Sequence, residues 1–303
     1  MSGAMYEYIR TIIPEERLLF HEPMSRYTTF RVGGEAECIV MVETQEELTQ
    51  LIPYLSRSGQ DYFVLGNGSN LLVGDKGYQG VILKLGKRMQ QIRVEGNHIV
   101  VGAGALLSQV SVAARDAGLS GLEFAAGIPG TIGGAIVMNA GAYDGEMKQV
   151  VKAVRVMDKE GEILTLDNDT MEFGYRTSII RDRPFIVLGV IMELTAGEKE
   201  QIGARMEELM ALRKSKQPLE YPSAGSTFKR PEGYYAGKLI MDAGMRGYRI
   251  GGAQVSEKHC GFVINAGGAS AADVKEVIEE VQERVKDRFH VRLEPEVIFL
   301  GDF

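Results

Sequence analysis

Glycine placement constrains this chain more than any other feature. Of its 303 residues, 37 are glycine, well above the usual share of about 7%. They form no low-complexity tract but gather in short loops between apolar runs. Three loops stand out: Thr28-Thr-Phe-Arg-Val-Gly-Gly34, Leu65-Gly-Asn-Gly-Ser-Asn70, and Gly127-Ile-Pro-Gly-Thr-Ile-Gly-Gly-Ala-Ile-Val-Met-Asn-Ala-Gly-Ala-Tyr143. Glycine lets a backbone approach a ligand closely and reach positive φ, and successive N–H groups then form an anion-binding nest. None of the loops fits the GxxxxGK[ST] phosphate loop or the GxGxxG dinucleotide fingerprint. One such loop alone reads as an ordinary turn. Three together, each with small hydroxyl or amide residues, point to a ligand held largely by backbone.

The balance of charge agrees. A net charge of −7 argues against nucleic acid, whose binding rests on phosphate neutralisation by many cations. Phosphates held by this chain would meet backbone N–H groups and a few placed cations. Apolar residues at 45% and charged residues at 25% are those of a globular protein with room for two domains. No apolar run reaches membrane-spanning length, and the N-terminus lacks an export signal, so no membrane partner and a cytoplasmic location are expected. Ser2-Gly3-Ala4 before a second Met has the look of a cloning remnant. Cys38 and Cys260 make neither a disulfide framework nor a zinc site; they read as reduced, partly buried thiols, and no metal is expected.

Periodicity predicts four helices. Thr44-Gln-Glu-Glu47 is a capping box ahead of Leu48, Leu51, Ile52 and Leu55, with Gly59 as the stop. Leu107, Val110, Ala114 and Ala117 mark a second, ending near Gly118; Ile202, Met206, Leu209 and Met210 a third, from 198 to about 216 and ended by Pro218. Ser270 caps a fourth carrying Val274, Val277, Ile278, Val281 and Val285. Strands are expected in ECIVMV, YFVLG, NLLV, GVILKL, IRVEGNHIVVGAG, VVKAVRVMDKEGEILTL, PFIVLGVIMEL and VRLEPEVIFLG, with hairpin turns at Glu95-Gly-Asn97 and Lys159-Glu-Gly161. The class is α+β without a regular βαβ repeat.

Seven stretches carry a resemblance: YTTFRVGGEAE, LGNGSNLLV, AGIPGTIGGAIVMNAGAYDGEM, FGYRTSI, SAGSTFKRP, AGKLIMDAGMRGYRIGGAQVSEKHCGFVINAGGASAADV and HVRLEPEV, in order from residue 27 to 297. Together they resemble the UDP-N-acetylenolpyruvoylglucosamine reductase family. The resemblance implies a two-lobed FAD-binding domain of the vanillyl-alcohol-oxidase type over residues 1–200, with lobes of about 1–85 and 86–200. A smaller α+β substrate domain would span 201–303, its last strand, 291–303, returning to the FAD domain. It implies FAD as cofactor, NADPH as co-substrate, UDP-N-acetylglucosamine enolpyruvate as substrate, and a monomer. The FAD contacts would come from Arg31, from Gly66, Asn67, Gly68, Ser69 and Asn70, from Gly127, Pro129, Gly130, Thr131, Gly133 and Gly134, and from Asn139.

The same resemblance assigns the reactive groups. Ser226 in SAGSTFKRP has no histidine nearby and no GxSxG elbow, so a nucleophile is disfavoured; the resemblance makes it the proton donor to a carbanion-like carbon. Arg176 matches the arginine that stabilises the intermediate, preorganised positive charge meeting developing negative charge. Glu296 matches the active-site glutamate, with Glu294 two residues away in LEPEV. Tyr175, Lys216, Arg230 and His259 match substrate or nicotinamide positions. Relatives of the longer kind have an extra loop between Tyr235 and Ala236; its absence matches the shorter, type II form and leaves Tyr234 and Tyr235 as candidates to cover the nucleotide. Two other classes stay open at this point: another FAD oxidoreductase of the same fold acting on an alcohol or sugar, and a non-catalytic flavin or nucleotide-sugar binding module.

Overall fold

The computed structural model describes residues 3–303; Met1 and Ser2, and with Ser2 part of the suggested cloning remnant, lie outside the described residues. The chain divides into two compact units, and neither is a continuous stretch. The first comprises the residues up to Leu19, Cys38–Asn67 and Gly80–Arg213; the second comprises Phe20–Glu37, Gly68–Gln79 and Lys214–Phe303.

The first unit contains a five-stranded antiparallel sheet, in the order Ile163–Asp167, Val151–Met157, Ile186–Glu193, His98–Gly102, Ile92–Glu95. Both expected hairpins are in it. Gly96 (φ 64°) and Gly161 (φ 89°) supply the positive φ that their tight turns demand. Tyr62–Leu65 pairs in parallel with Val81–Lys84. Helix α1 (Gly3–Ile12), unforeseen, packs against α2 (Gln45–Ser58). Helix α2 begins at the anticipated capping box: Thr44 Oγ1 accepts from Glu47 N at 3.2 Å, and the Glu47 carboxylate accepts from Thr44 N at 3.3 Å. It ends at Gly59, left-handed at φ 68°. Such a cap is worth about 1 kcal/mol. Burial stabilises the helix more: Leu48, Leu51, Ile52 and Leu55 are all fully enclosed, at roughly 1.5–3 kcal/mol per side chain. Helix α3 (Leu107–Asp116) adds Leu107, Val110 and Ala114 to the same core. Inside the long glycine loop lies a short helix, α4 (Ile132–Val137), also unforeseen.

Helix α5 (Lys199–Lys216) matches the third expected helix. In the second unit, α6 (Ala236–Asp242) is a further helix that sequence periodicity missed, and α7 (Ala271–Phe289) is the fourth expected one. Ser270 caps α7 in a capping box with Asp273. The Asp75 carboxylate accepts from the N–H groups of Ala271 and Ala272, both at 2.8 Å, which ties Gly68–Gln79 to the start of α7. Phe30, Val32 and Leu72 share a core with Val274, Val277, Ile278, Val281 and Val285. That shared core explains why two N-terminal segments belong to the C-terminal unit. The expected strand 291–301 is shorter than its pattern, extending only over Ile298–Leu300. Pro295 cannot donate to a ladder, so regular pairing starts after it. Ile298–Leu300 runs parallel to Leu71–Val73.

Candidate functional site

The first unit carries the 127–143 glycine loop, the start of the 65–70 loop, and Arg176. Asn67 Nδ2 donates to the Pro129 carbonyl at 2.7 Å, joining the 66–67 and 127–131 segments. They are close enough that a Cβ on Gly66 would stand 2.5 Å from Thr131 Oγ1. Lys84 Nζ donates to the Gly66 carbonyl at 3.0 Å. No backbone N–H from Gly66 to Asn70 has a protein acceptor among the described residues, and the same holds for Gly127, Gly130 and Thr131. Oriented N–H groups left over by the fold are what a nest for phosphate oxygens requires. Part of the long loop is used differently. Ile132 N donates to the Ala105 carbonyl and Gly133 N to the Ala103 carbonyl, each at 2.8 Å, and Gly134 N donates to Thr131 Oγ1 at 3.4 Å. Gly133 and Gly134 therefore serve packing, with a Cβ on Gly133 only 3.3 Å from Ala103.

Arg176 is held in a two-residue turn. Gly174 and Thr177 exchange both backbone hydrogen bonds around Tyr175 and Arg176, and Arg176 has φ 56°. A non-glycine residue in the left-handed region costs about 1–2 kcal/mol, and such strain concentrates at functional sites. Asn139, itself at φ 40° and 1% exposed, holds the turn: its Nδ2 donates to the Gly174 carbonyl at 3.0 Å while its Oδ1 accepts from Lys148 N at 2.9 Å. The Asn139 amide thus ties the Arg176 turn, through Gly174, to the backbone at Lys148. The Arg176 guanidinium donates to the Gly141 carbonyl at 3.0 Å and lies 5.1 Å from the Tyr175 ring centre. Gly141 belongs to a hairpin whose corners, Tyr143 and Asp144, both have positive φ, the signature of a type I′ turn.

The second unit carries Ser226 and Glu296. Ser226 follows Gly225, whose φ is 77°; it is exposed, and its hydroxyl has no hydrogen-bond partner among the described residues. Its neighbour Thr227 is fully buried and fixes the segment on two sides. Thr227 N donates to the Gly261 carbonyl at 2.8 Å, and Thr227 Oγ1 accepts from Val263 N at 2.9 Å. Across from it, Glu296 N donates to the Thr227 carbonyl at 2.8 Å, and Lys229 N donates to the Glu294 carbonyl at 2.9 Å. Glu296 therefore stands opposite Thr227, one residue from Ser226 in register. The Glu294 carboxylate is paired with Lys229 Nζ at 3.2 Å. Asn70 Nδ2 donates to the Glu296 carbonyl at 3.0 Å and the Asn70 carbonyl accepts from Ile298 N at 3.0 Å, so Asn70 holds the Glu296 segment.

The remaining expected residues of this unit are more dispersed. Arg31 is exposed at φ 56° beside Thr28, Gly68 packs on the Tyr27 carbonyl, and Ser69 is half-buried. Lys216 is exposed at the end of α5. Arg230 lies over the Tyr235 ring at 4.1 Å and donates to the Tyr234 carbonyl at 3.3 Å. His259 accepts from Gly261 N through Nδ1 at 3.1 Å and meets the Phe262 ring edge-on. Burial holds its imidazole below the ordinary histidine range, against a smaller backbone hydrogen bond that favours the charged form. Burial thus favours the neutral form of this partly buried side chain.

Residues 36–167 match the model of an FAD binding domain, and residues 217–300 match that of the C-terminal domain of UDP-N-acetylenolpyruvoylglucosamine reductase. A relative of that name from Caldanaerobacter subterraneus subsp. tengcongensis is 50% identical over 302 residues, covering 100% of both chains. The chain belongs to the UDP-N-acetylenolpyruvoylglucosamine reductase family. A second member, from Alkaliphilus metalliredigens, is 48% identical over 98% of each chain. The crystal structure of the reductase from Thermus caldophilus is 39% identical and superposes with a TM-score of 0.82, covering 94% of this chain and 99% of that one. The expected α+β class with an FAD-binding domain is therefore borne out.

Within the first unit, the N–H groups of Gly66, Asn67, Gly127, Gly130 and Thr131, left without protein acceptors among the described residues, have the chemistry of a diphosphate cradle. Sequence reasoning did not single out Lys84 or Arg213, both basic groups beside these loops. For Lys84 a signal existed: it is the one charged residue in the apolar strand GVILKL. Arg213 gave none, since a cation late in a helix is ordinary. Among the described residues no helix is long and apolar enough to cross a membrane.

Proposed function

We propose that Ser226, Arg176 and Glu296 carry the proton and charge chemistry by which this chain reduces UDP-N-acetylglucosamine enolpyruvate to UDP-N-acetylmuramate. The chain is an FAD-containing, NADPH-dependent reductase of peptidoglycan precursor synthesis, as its family membership and FAD-binding domain establish. FAD, when bound, would supply the hydride chemistry between NADPH and C3 of the enolpyruvyl ether.

The residues of the chain do the rest. Negative charge arises at C2 of the substrate and spreads into its carboxylate. The Arg176 guanidinium, preset by its turn and by Asn139, meets that carboxylate with two parallel donors. Ser226 Oγ passes its proton to C2, completing the lactyl ether. No base need deprotonate Ser226 beforehand, because the acceptor is a strongly basic carbon; a neighbouring histidine is not required. Glu296 steadies the enol form through control of its own protonation. The 66–70 and 127–131 segments would hold the FAD diphosphate with backbone N–H groups. Tyr175, Lys216 and Arg230 contact the nucleotides. We take residues 1–200 as the FAD-binding part and 201–303 as the substrate-binding part, a division supported by the matches to 36–167 and 217–300. The enzyme is taken to act in the cytoplasm as a monomer.

The observation that carries the reading is the register of Glu296 on Thr227, which brings Ser226 and Glu296 onto adjoining backbone segments. The test is NADPH consumption by the purified protein. Consumption that depends on the enolpyruvyl nucleotide supports the reading; consumption with oxygen alone rejects it.

A further inference from the structure

We infer that Arg213 binds a diphosphate held against the Gly127–Thr131 loop, with FAD as its source. The inference rests on the proposed placement of FAD at the glycine loops, and adds to it a charged ligand that no sequence motif marks.

Arg213 lies in the last turn of α5, within the first unit. Its aliphatic stem runs against Gly127: a Cβ there would stand 3.0 Å from Arg213 Cδ and 3.6 Å from Met210 Cε. A side chain at position 127 would displace the arginine, so this glycine reserves the path of the stem. The guanidinium is largely buried. Among the described residues it has no ion-pair partner and no hydrogen-bond acceptor. Burial holds its pKa below the ordinary arginine value, and the one group that opposes this is the phenol of Tyr143. A guanidinium removed from water needs an anion or a set of acceptors in return. The C-terminal dipole of α5 favours a cation there, but that favour is small beside the cost of desolvation.

The loop beside it is short of anions for the same reason. Gly127, Gly130 and Thr131 present N–H groups without protein acceptors among the described residues. Lys84, whose Nζ reaches the Gly66 carbonyl on the loop that Asn67 ties to Pro129, is a second largely buried cation. Burial alone lowers its pKa, and no carboxylate approaches it closely enough to act against that. Two cations without an ion-pair partner among the described residues, and the free N–H groups of Gly66, Asn67, Gly127, Gly130 and Thr131, all in the first unit, are complementary to a ligand of two or more negative charges. A planar guanidinium suits phosphate oxygens by paired hydrogen bonds.

The experiment strips flavin from the full-length protein and titrates FAD, FMN and riboflavin into wild type, Arg213→Met and Arg213→Lys. Loss of a charge-assisted contact predicts FAD binding weaker by about tenfold or more in Arg213→Met, or about 1.4 kcal/mol. Riboflavin affinity should be unchanged, and Arg213→Lys should fall between. The wild-type advantage for FAD should shrink as salt rises. With FAD saturating, the KM values for NADPH and for the enolpyruvyl nucleotide should stay within about twofold of wild type, since the contact is to the cofactor. If those KM values rise while FAD affinity holds, the diphosphate belongs to a nucleotide substrate and the assignment to FAD falls. If FAD, FMN and riboflavin weaken equally, or no ligand weakens, Arg213 is structural and the inference is overturned. Arg213→Gln replaces Arg213→Met should the latter not fold. A protein with arginine-dependent FAD affinity but no turnover of the enol ether keeps this inference and rejects the proposed function.

Discussion

Glu296 N donates to the carbonyl of Thr227 at 2.8 Å, and this contact, with Lys229 N on the Glu294 carbonyl at 2.9 Å, sets the segment of Ser226, the proposed proton donor, in register with that of Glu296. Thr227 is the hinge of the arrangement because its side chain is spent inward, accepting from Val263 N. Thr227→Val keeps the shape but leaves that buried N–H without an acceptor. The expected cost is about 1–3 kcal/mol, read by urea denaturation, with kcat falling more than the KM for the nucleotide. A variant as stable and as active as wild type would contradict the role given to Thr227.

Asn139 acts on Arg176 through the Gly174 carbonyl. Asn139→Ala removes both amide contacts and leaves the Lys148 N–H unpaired, so stability should drop by about 1–3 kcal/mol. Its KM for the enolpyruvyl nucleotide should rise along with a fall in kcat, because the guanidinium loses its fixed direction. Steady-state kinetics with FAD saturating separates this from flavin loss; unchanged parameters would count against a positioning role.

Gly66 faces Thr131 too closely to carry a side chain. Gly66→Ala should push the two joined loops apart and lower the FAD content of the purified protein, measured as the ratio of flavin to protein absorbance. Gly96→Ala, at an exposed hairpin corner with open space around its Cβ, should cost stability through its positive φ while leaving flavin content alone.

Much of this was legible in the sequence. The capping boxes at Thr44 and Ser270, the hairpin glycines at 96 and 161, and the apolar stripes of α2 and α7 are local features, and local features survive into the fold. Non-local contacts account for what the sequence did not display. Helix α4 was hidden because Gly133 and Gly134 have poor helix propensity; it forms because Thr131 caps it and the Ala103 and Ala105 carbonyls take its first N–H groups. That use also removed two donors from the expected anion nest. The grouping of Phe30, Val32 and Leu72 with α7 depends on a shared core that no window of sequence displays. Asn139 and Asn70, expected at the cofactor, use their side-chain amides to hold the Arg176 turn and the Glu296 segment.

His259 gives a pH dependence with a definite sign. Its folded pKa lies below the ordinary value of about 6.5 because burial disfavours the charged form. The unfolded chain therefore binds the proton first as pH falls, and stability contributed by the neutral, packed ring is present above about pH 6.5 and declines as pH drops toward the folded value. Unfolding midpoints measured from about pH 8 to about pH 5, a range that spans this titration, should fall more steeply for wild type than for His259→Gln. A wild-type slope that equals the variant's across that range would refute the assignment.

Cys38 should be inert. Burial raises its thiol pKa to about 11, so little thiolate forms near neutral pH. Cys260 is raised by burial as well, with Arg246 acting weakly in the other direction. An aromatic disulfide reagent should titrate both thiols only after unfolding; fast reaction of the native protein would show that one of them is open to solvent.

Rapid mixing of Ser226→Ala tests the central chemistry most directly. NADPH should bleach its flavin absorbance at close to the wild-type rate, while adding the enolpyruvyl nucleotide should restore that absorbance at least about a hundredfold more slowly than in wild type, as loss of a positioned proton donor implies. Restoration at the wild-type rate would contradict proton delivery by Ser226.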